Sequence, residues 1–125
     1  MTNEVIEILI DLSNVDPELK PEELENLTVN FSEEISELVE ESQLLRESEI
    51  PDLGKPGLGA FVAAIKATVS AANISKLVGT VRERFGAKPV KLVGKKDGYE
   101  FTIEVGRPED LERAVDAFLK LAKGI

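Results

Sequence analysis

The chain has 125 residues, 42% of them hydrophobic, and a formal net charge of −9. It contains neither cysteine nor histidine, which excludes disulfides, thiolate metal sites, a Cys nucleophile, a Ser–His pair and the commonest zinc ligand. The length suits a single domain, residues 1–125, able to build its own core.

The net charge hides an asymmetry. Residues 1–53 hold 16 Asp/Glu against 2 Lys/Arg, and residues 54–125 hold 8 against 13. One arrangement packs the acidic half beside the basic half. The other sets two opposite-signed faces that dock head to tail, with copies of the chain as a homo-oligomer or with a partner. Nucleic acid is not an expected partner, because the overall field repels phosphate and no basic stripe is interleaved with aromatics. The opening Met-Thr-Asn-Glu-Val lacks the features of a secretion signal, so the expected location is cytoplasmic.

The first predicted element is a strand over residues 3–12. Ile6, Ile8, Ile10 and Leu12 share one face, and Glu7 and Asp11 share the other with Val5 and Leu9. Pro21 and the acids Glu22, Glu23 and Glu25 start a helix over about 21–38. Its apolar stripe is Leu24, Leu27, Phe31, Ile35 and Leu38. Residues 39–49 fit either a helix tail or a short polar edge strand. Pro51 to Gly57 reads as a loop.

A long apolar stretch follows, which the spacing predicts as helix over 58–85. Leu58, Phe61, Val62, Ile65, Val69 and Ala72 make one stripe, continued by Ile74, Leu77, Val78, Val81 and Phe85. Asn73 and Ser75 are where a kink or restart would fall. A continuous helix there would span about 42 Å at ~1.5 Å per residue. Lys88-Pro89 then opens a hairpin, with Val90 to Val93 as one arm and Tyr99 to Val105 as the other. Asp97-Gly98 is its tight turn. Tyr99, Phe101, Ile103 and Val105 alternate with Glu100, Thr102 and Glu104, so one sheet face is wet and the helices belong mainly on the other. Pro108 and the acids behind it start the last helix, whose stripe is Leu111, Ala114, Val115, Phe118 and Ala122.

Several stretches invite a chemical function. Gly54-Lys55-Pro56-Gly57-Leu58-Gly59 suggests a phosphate loop, but it matches neither glycine spacing of the nucleotide motifs, and Pro56 removes a donor. Glu33, Glu34, Glu37, Glu40 and Glu41 suggest a cation cluster, yet they read as one solvated helix face. Lys66 and Lys76 are the lysines within the apolar stretch; a helix would project them at similar angles, with their ammonium groups in water. No pair of carboxylates is placed for acid/base work. A membrane span over 58–81 is disfavoured by both lysines, at about 2.5–3.5 kcal/mol each near a bilayer centre. No cofactor or metal is expected.

The run from Pro21 to Leu38, then Val39-Glu-Glu-Ser-Gln-Leu-Leu-Arg46, Leu58-Gly59-Ala60, the apolar stretch ending Arg82-Glu-Arg-Phe85, the hairpin and the last helix resembles the effector-associated constant component family. The likeness covers nearly the whole chain and is one of element order and apolar positions. The Trp of that pattern is absent; Phe85 or Val81 stands there. The resemblance implies a strand over 39–47. It also implies a non-enzymatic adaptor of bacterial defence and cell-death systems, coupling a sensor to an effector. The implied protein partner is a caspase-like or trypsin-like protease or a signalling NTPase. The family offers no catalytic motif, so no functional residue carries over.

The expected architecture is a two-layer α+β sandwich in the order β-α-β-α-β-β-α, a small mixed sheet with helices mainly on one face. The candidate partner interface is the basic end of the apolar stretch: Val81, Arg82, Arg84, Phe85 and Lys88. Two alternatives to the adaptor role stand beside it. One is a membrane-acting component that exposes helix 58–85 on activation. The other is a small-ligand or nucleotide sensor at residues 54–59.

Overall fold

A computed structural model describes residues 4–46, 61–86, 88–105 and 108–123, and every structural statement concerns these. The α+β class and the predicted order of elements hold, with one strand added. In chain order the elements are β1 (Val5–Asp11), α1 (Pro21–Glu34), β2 (Glu41–Arg46), β3 (Val62–Ser70), α2 (Ala71–Phe85), β4 (Val90–Lys96), β5 (Tyr99–Val105) and α3 (Pro108–Lys123). Residues 41–46 form the strand that the family resemblance implies. Helix α1 stops at Glu34, so the five glutamates do not share a helix face. Glu33 and Glu34 end α1, Glu37 lies in the turn behind it, and Glu40 and Glu41 stand at the start of β2. The glycine-rich residues 54–59 and the side chain of Leu111 lie outside the described residues.

The added strand corrects the helix, continuous or kinked, expected over 58–85. Residues 62–70 are extended, and the chain passes from strand into helix with no intervening loop. Ser70 ends β3 with φ −78° and ψ 153° and is also the N-cap of α2. The reason lies in a spacing that serves two periods. Val62, Ile65 and Val69 fit a helical stripe, and the alanines between them favour helix. Yet from Ile65 on the burial alternates: Ile65, Ala67 and Val69 are buried, while Lys66, Thr68 and Ser70 are half-exposed. That is a period of two, and pairing on both sides decides the contest. β3 is hydrogen-bonded to β1 on one side and β2 on the other. The helix that remains has 15 residues, about 22 Å at ~1.5 Å per residue. Among the described residues no helix is long and apolar enough to cross a membrane. The membrane-acting alternative therefore has no 58–85 helix to expose.

The five strands lie in the order β2-β3-β1-β4-β5, and every neighbouring pair is antiparallel rather than mixed. Because β1 and β2 both oppose β3, they run parallel, joined by α1 across one intervening strand. β3 and β4 are related in the same way through α2 across β1. Two interleaved crossovers of this kind make the ferredoxin-like split β-α-β arrangement. The hairpin strand β5 and helix α3 extend it on the β4 side.

Most of the core lies on one face of that sheet, while Leu9, Leu45, Ala64 and Val93 are buried on the other. Ile6, Ile8, Ile10, Ile65, Ala67, Val69, Val90 and Leu92 are at most 2% exposed. The helices cover them: α1 with Leu24 and Phe31, α2 with Ile74, Leu77, Val78, Val81 and Phe85, α3 with Ala114, Phe118 and Ala122. Phe31 and Phe85 join α1 to α2 edge to face, 4.9 Å between centroids. Phe118 of α3 meets Phe101 of β5 at 6.0 Å in the same geometry. Two local devices fix the entrance of α1: Pro21 at its first position, and Glu23, whose carboxylate accepts the Lys20 N–H at 3.0 Å. Glu25 reaches out of the same helix to accept the Val62 N–H at 3.1 Å, tying α1 to the start of β3.

Candidate interaction surface

The five residues of the predicted interface separate into core and surface. Val81 and Phe85 are 1% and 6% exposed. The apolar half of that end is thus inside the molecule and offers a partner nothing. Arg82 donates to the Gly86 carbonyl at 3.1 Å, closing the last turn of α2. Arg84 lies 4.0 Å from Glu34 of α1. Lys88 lies 3.3 Å from Asp16. Asp16 is held below the ordinary carboxylate value, first by the N–H of Glu18 and then by the Lys88 ammonium. The acidic and basic halves of the sequence therefore meet within the fold, since Arg84–Glu34, Lys88–Asp16 and Lys66–Glu7 all pair across them.

The two lysines expected on one helix face occupy different elements. Lys76 is exposed on α2. Lys66 stands on β3, on the sheet face opposite the helices, 3.8 Å from Glu7. Around them is a polar hollow of about 570 Å³ lined by Glu7, Glu41, Ser42, Gln43, Lys66 and Thr68. Among the described residues no three acidic side chains converge as metal ligands would.

The helix-free face is built of three rows running across the strands, read from the pairing registers. The first is Glu41, Thr68, Glu7, Lys95, Glu100 from β2 to β5. The second is Gln43, Lys66, Leu9, Val93, Thr102, and the third Leu45, Ala64, Asp11, Lys91, Glu104. From β1 to β5 the outer rows alternate in sign: Glu7, Lys95, Glu100 and Asp11, Lys91, Glu104. Lys95 and Glu100 approach to 3.6 Å. Asp11 also accepts the Ser13 N–H at 2.9 Å, which ends β1.

The helix side of the β5 edge is different in character. Tyr99 is 71% exposed, and the one other large hydrophobic residue exposed among the described residues is Leu44, at 37%. Beside Tyr99 runs a groove of about 470 Å³ between β5 and α3. Its floor is Tyr99, Phe101, Ala117 and Leu121, and Asp116 and Lys120 stand 3.5 Å apart on its rim. Lys96 closes the same end by donating from its ammonium to the Ala122 carbonyl near the end of α3. The β5 alternation was legible in the sequence. Its place at the sheet edge was not, because strand order is a long-range property. No protein-family model, curated protein or solved structure matches this chain.

Proposed function

We propose that this chain is a non-enzymatic protein-interaction component, an adaptor coupling a sensor to an effector in a bacterial defence or signalling system. The observation that carries it is the β5–α3 groove. A sheet edge, an exposed tyrosine and an apolar floor with a charged rim make a surface suited to a protein segment. The family resemblance supplies the class of partner, a protease-like or NTPase effector or sensor. The charged remainder of the α2 end, Arg82, Arg84 and Lys88, is a second surface for the same role.

The test is co-purification of the tagged chain with the products of the genes beside its own, followed by sizing of the complex. A stoichiometric complex is the expected result. Absence of binding to every neighbouring product overturns the adaptor role. The pair Arg82→Glu/Arg84→Glu, on the native background, reports separately on the α2 end: unchanged binding removes it from the interface.

A further inference from the structure

We infer that the free edge of β5 accepts an extended protein segment whose side chains alternate, basic toward the helix-free face and apolar toward the β5–α3 groove. The inference rests on the adaptor role and specifies the chemistry of the partner.

The backbone argument starts at the hairpin turn. Asp97 and Gly98 have φ of 51° and 85°, and Lys96 pairs with Tyr99 across them. A two-residue turn with both central residues at positive φ is closed by a hydrogen-bonded pair. Antiparallel pairs then alternate between bonded and non-bonded. Tyr99, Phe101, Ile103 and Val105 thus bond to β4. Glu100, Thr102 and Glu104 point their N–H and C=O away from it. Among the described residues β5 pairs only with β4. The outward groups are therefore a template for a sixth strand.

Charge selects the occupant. The two rows that alternate minus, plus, minus across β1, β4 and β5 continue with plus on a strand beyond β5. An antiparallel segment places residues i, i+2 and i+4 opposite Glu104, Thr102 and Glu100. Lysine or arginine at i and i+4 repeats the Lys95–Glu100 relationship already present at 3.6 Å. Residues i+1, i+3 and i+5 fall beside Ile103, Phe101 and Tyr99 and extend over the apolar floor of the groove. A second copy of this chain is the wrong occupant. The two-fold register that uses all three outward residues is centred on Thr102, and it sets Glu100 against Glu104 twice.

The probe is a blocked hexapeptide, Lys-Val-Thr-Val-Lys-Val, compared with Glu-Val-Thr-Val-Glu-Val by NMR titration of the whole chain. The basic peptide is expected to bind about tenfold more tightly, because its lysines meet Glu104 and Glu100 where the acidic peptide sets like charges opposite them. Its shifts are expected in residues 99–105 and 113–121. Thr102→Pro removes an outward N–H without touching the β4 ladder, and it should abolish binding. Glu100→Gln/Glu104→Gln keeps the edge and should bring the two peptides to near parity, which holds the test open if the proline variant does not fold. Equal binding of both peptides to the native chain, no binding of either, or shifts centred elsewhere overturns the inference. So does concentration-dependent dimerisation of the native chain that Thr102→Pro removes. If a neighbouring gene product binds the native chain and a folded Thr102→Pro variant equally, the adaptor role stands and the β5 edge is excluded.

Discussion

A Cβ built on Gly94 of β4 would lie 2.5 Å from Cδ1 of Phe118 and 2.6 Å from its Cε1. The glycine is therefore set by the approach of α3 to the sheet, at a position of ordinary strand geometry. Phe118 is fully buried, so its ring has no room to retreat. Gly94→Ala is expected to destabilise the fold by about 1–3 kcal/mol, the usual range for overpacking. Adding Phe118→Leu should recover part of that loss in urea denaturation. Destabilisation by Gly94→Ala that Phe118→Leu does not relieve would show that the ring is not the obstacle.

The Phe31–Phe85 contact is expected to couple α1 to α2 energetically. Both rings are buried and meet edge to face at 4.9 Å and 68°. Either residue changed to Ala should cost about 3–5 kcal/mol, from lost transfer and the cavity left behind. To keep the variants folded, a double-mutant cycle is better run with Leu at each site. A coupling of about 0.5–1.5 kcal/mol is expected for the aromatic pair. Additive losses would mean the rings contribute by area alone.

The turn at Asp97 and Gly98 makes an opposite pair of predictions. Gly98 has φ 85°, which a side chain resists, and no neighbouring atom crowds it. Gly98→Ala should therefore lose about 1 kcal/mol through backbone strain alone. Asp97, at φ 51°, already bears that conformation with a side chain, and Asp97→Asn should be close to neutral. Equal losses at both positions, measured by thermal unfolding, would contradict the turn geometry from which the outward groups of β5 follow.

Much of this fold was legible because some segments agree with themselves. In residues 99–105 the alternation, the β-branched and aromatic content and the preceding Asp-Gly all point one way. Pro21 and Pro108 mark the starts of α1 and α3. The failure at β3 has the opposite cause. Ile65 and Val69, four apart, satisfy both periods, and only Lys66, Thr68 and Ser70 carry the strand signal. Val81 and Phe85 share an apolar stripe with Ile74, Leu77 and Val78, and the fold buries that whole stripe, so the basic α2 end keeps only its charged residues for a partner. The sign rows on the helix-free face could not be read at all from a single segment. Lys91 and Lys95 acquire their meaning from Asp11, Glu7, Glu104 and Glu100, which neighbour them only once the strand order is known.

Asp16 gives the pH prediction. Its carboxyl is held below the ordinary value of 3.8, chiefly by the Glu18 N–H and further by Lys88. A group whose folded pKa lies below its unfolded one binds more protons when unfolded. Its stabilising contribution is therefore present above the unfolded pKa and is lost as pH falls through the folded one. Asp16→Ala should be less stable than the native chain near neutral pH. The gap should shrink as pH falls below 3.8, since protonation removes from the native chain what the variant already lacks. Lys88→Met should remove the smaller, salt-sensitive part of the gap, because that pair lies at the surface and is screened. Urea denaturation at about pH 7 and about pH 2.5 reads both effects. A native-to-Asp16→Ala gap that is the same at the two pH values would mean that the side chain acts by packing and not by charge.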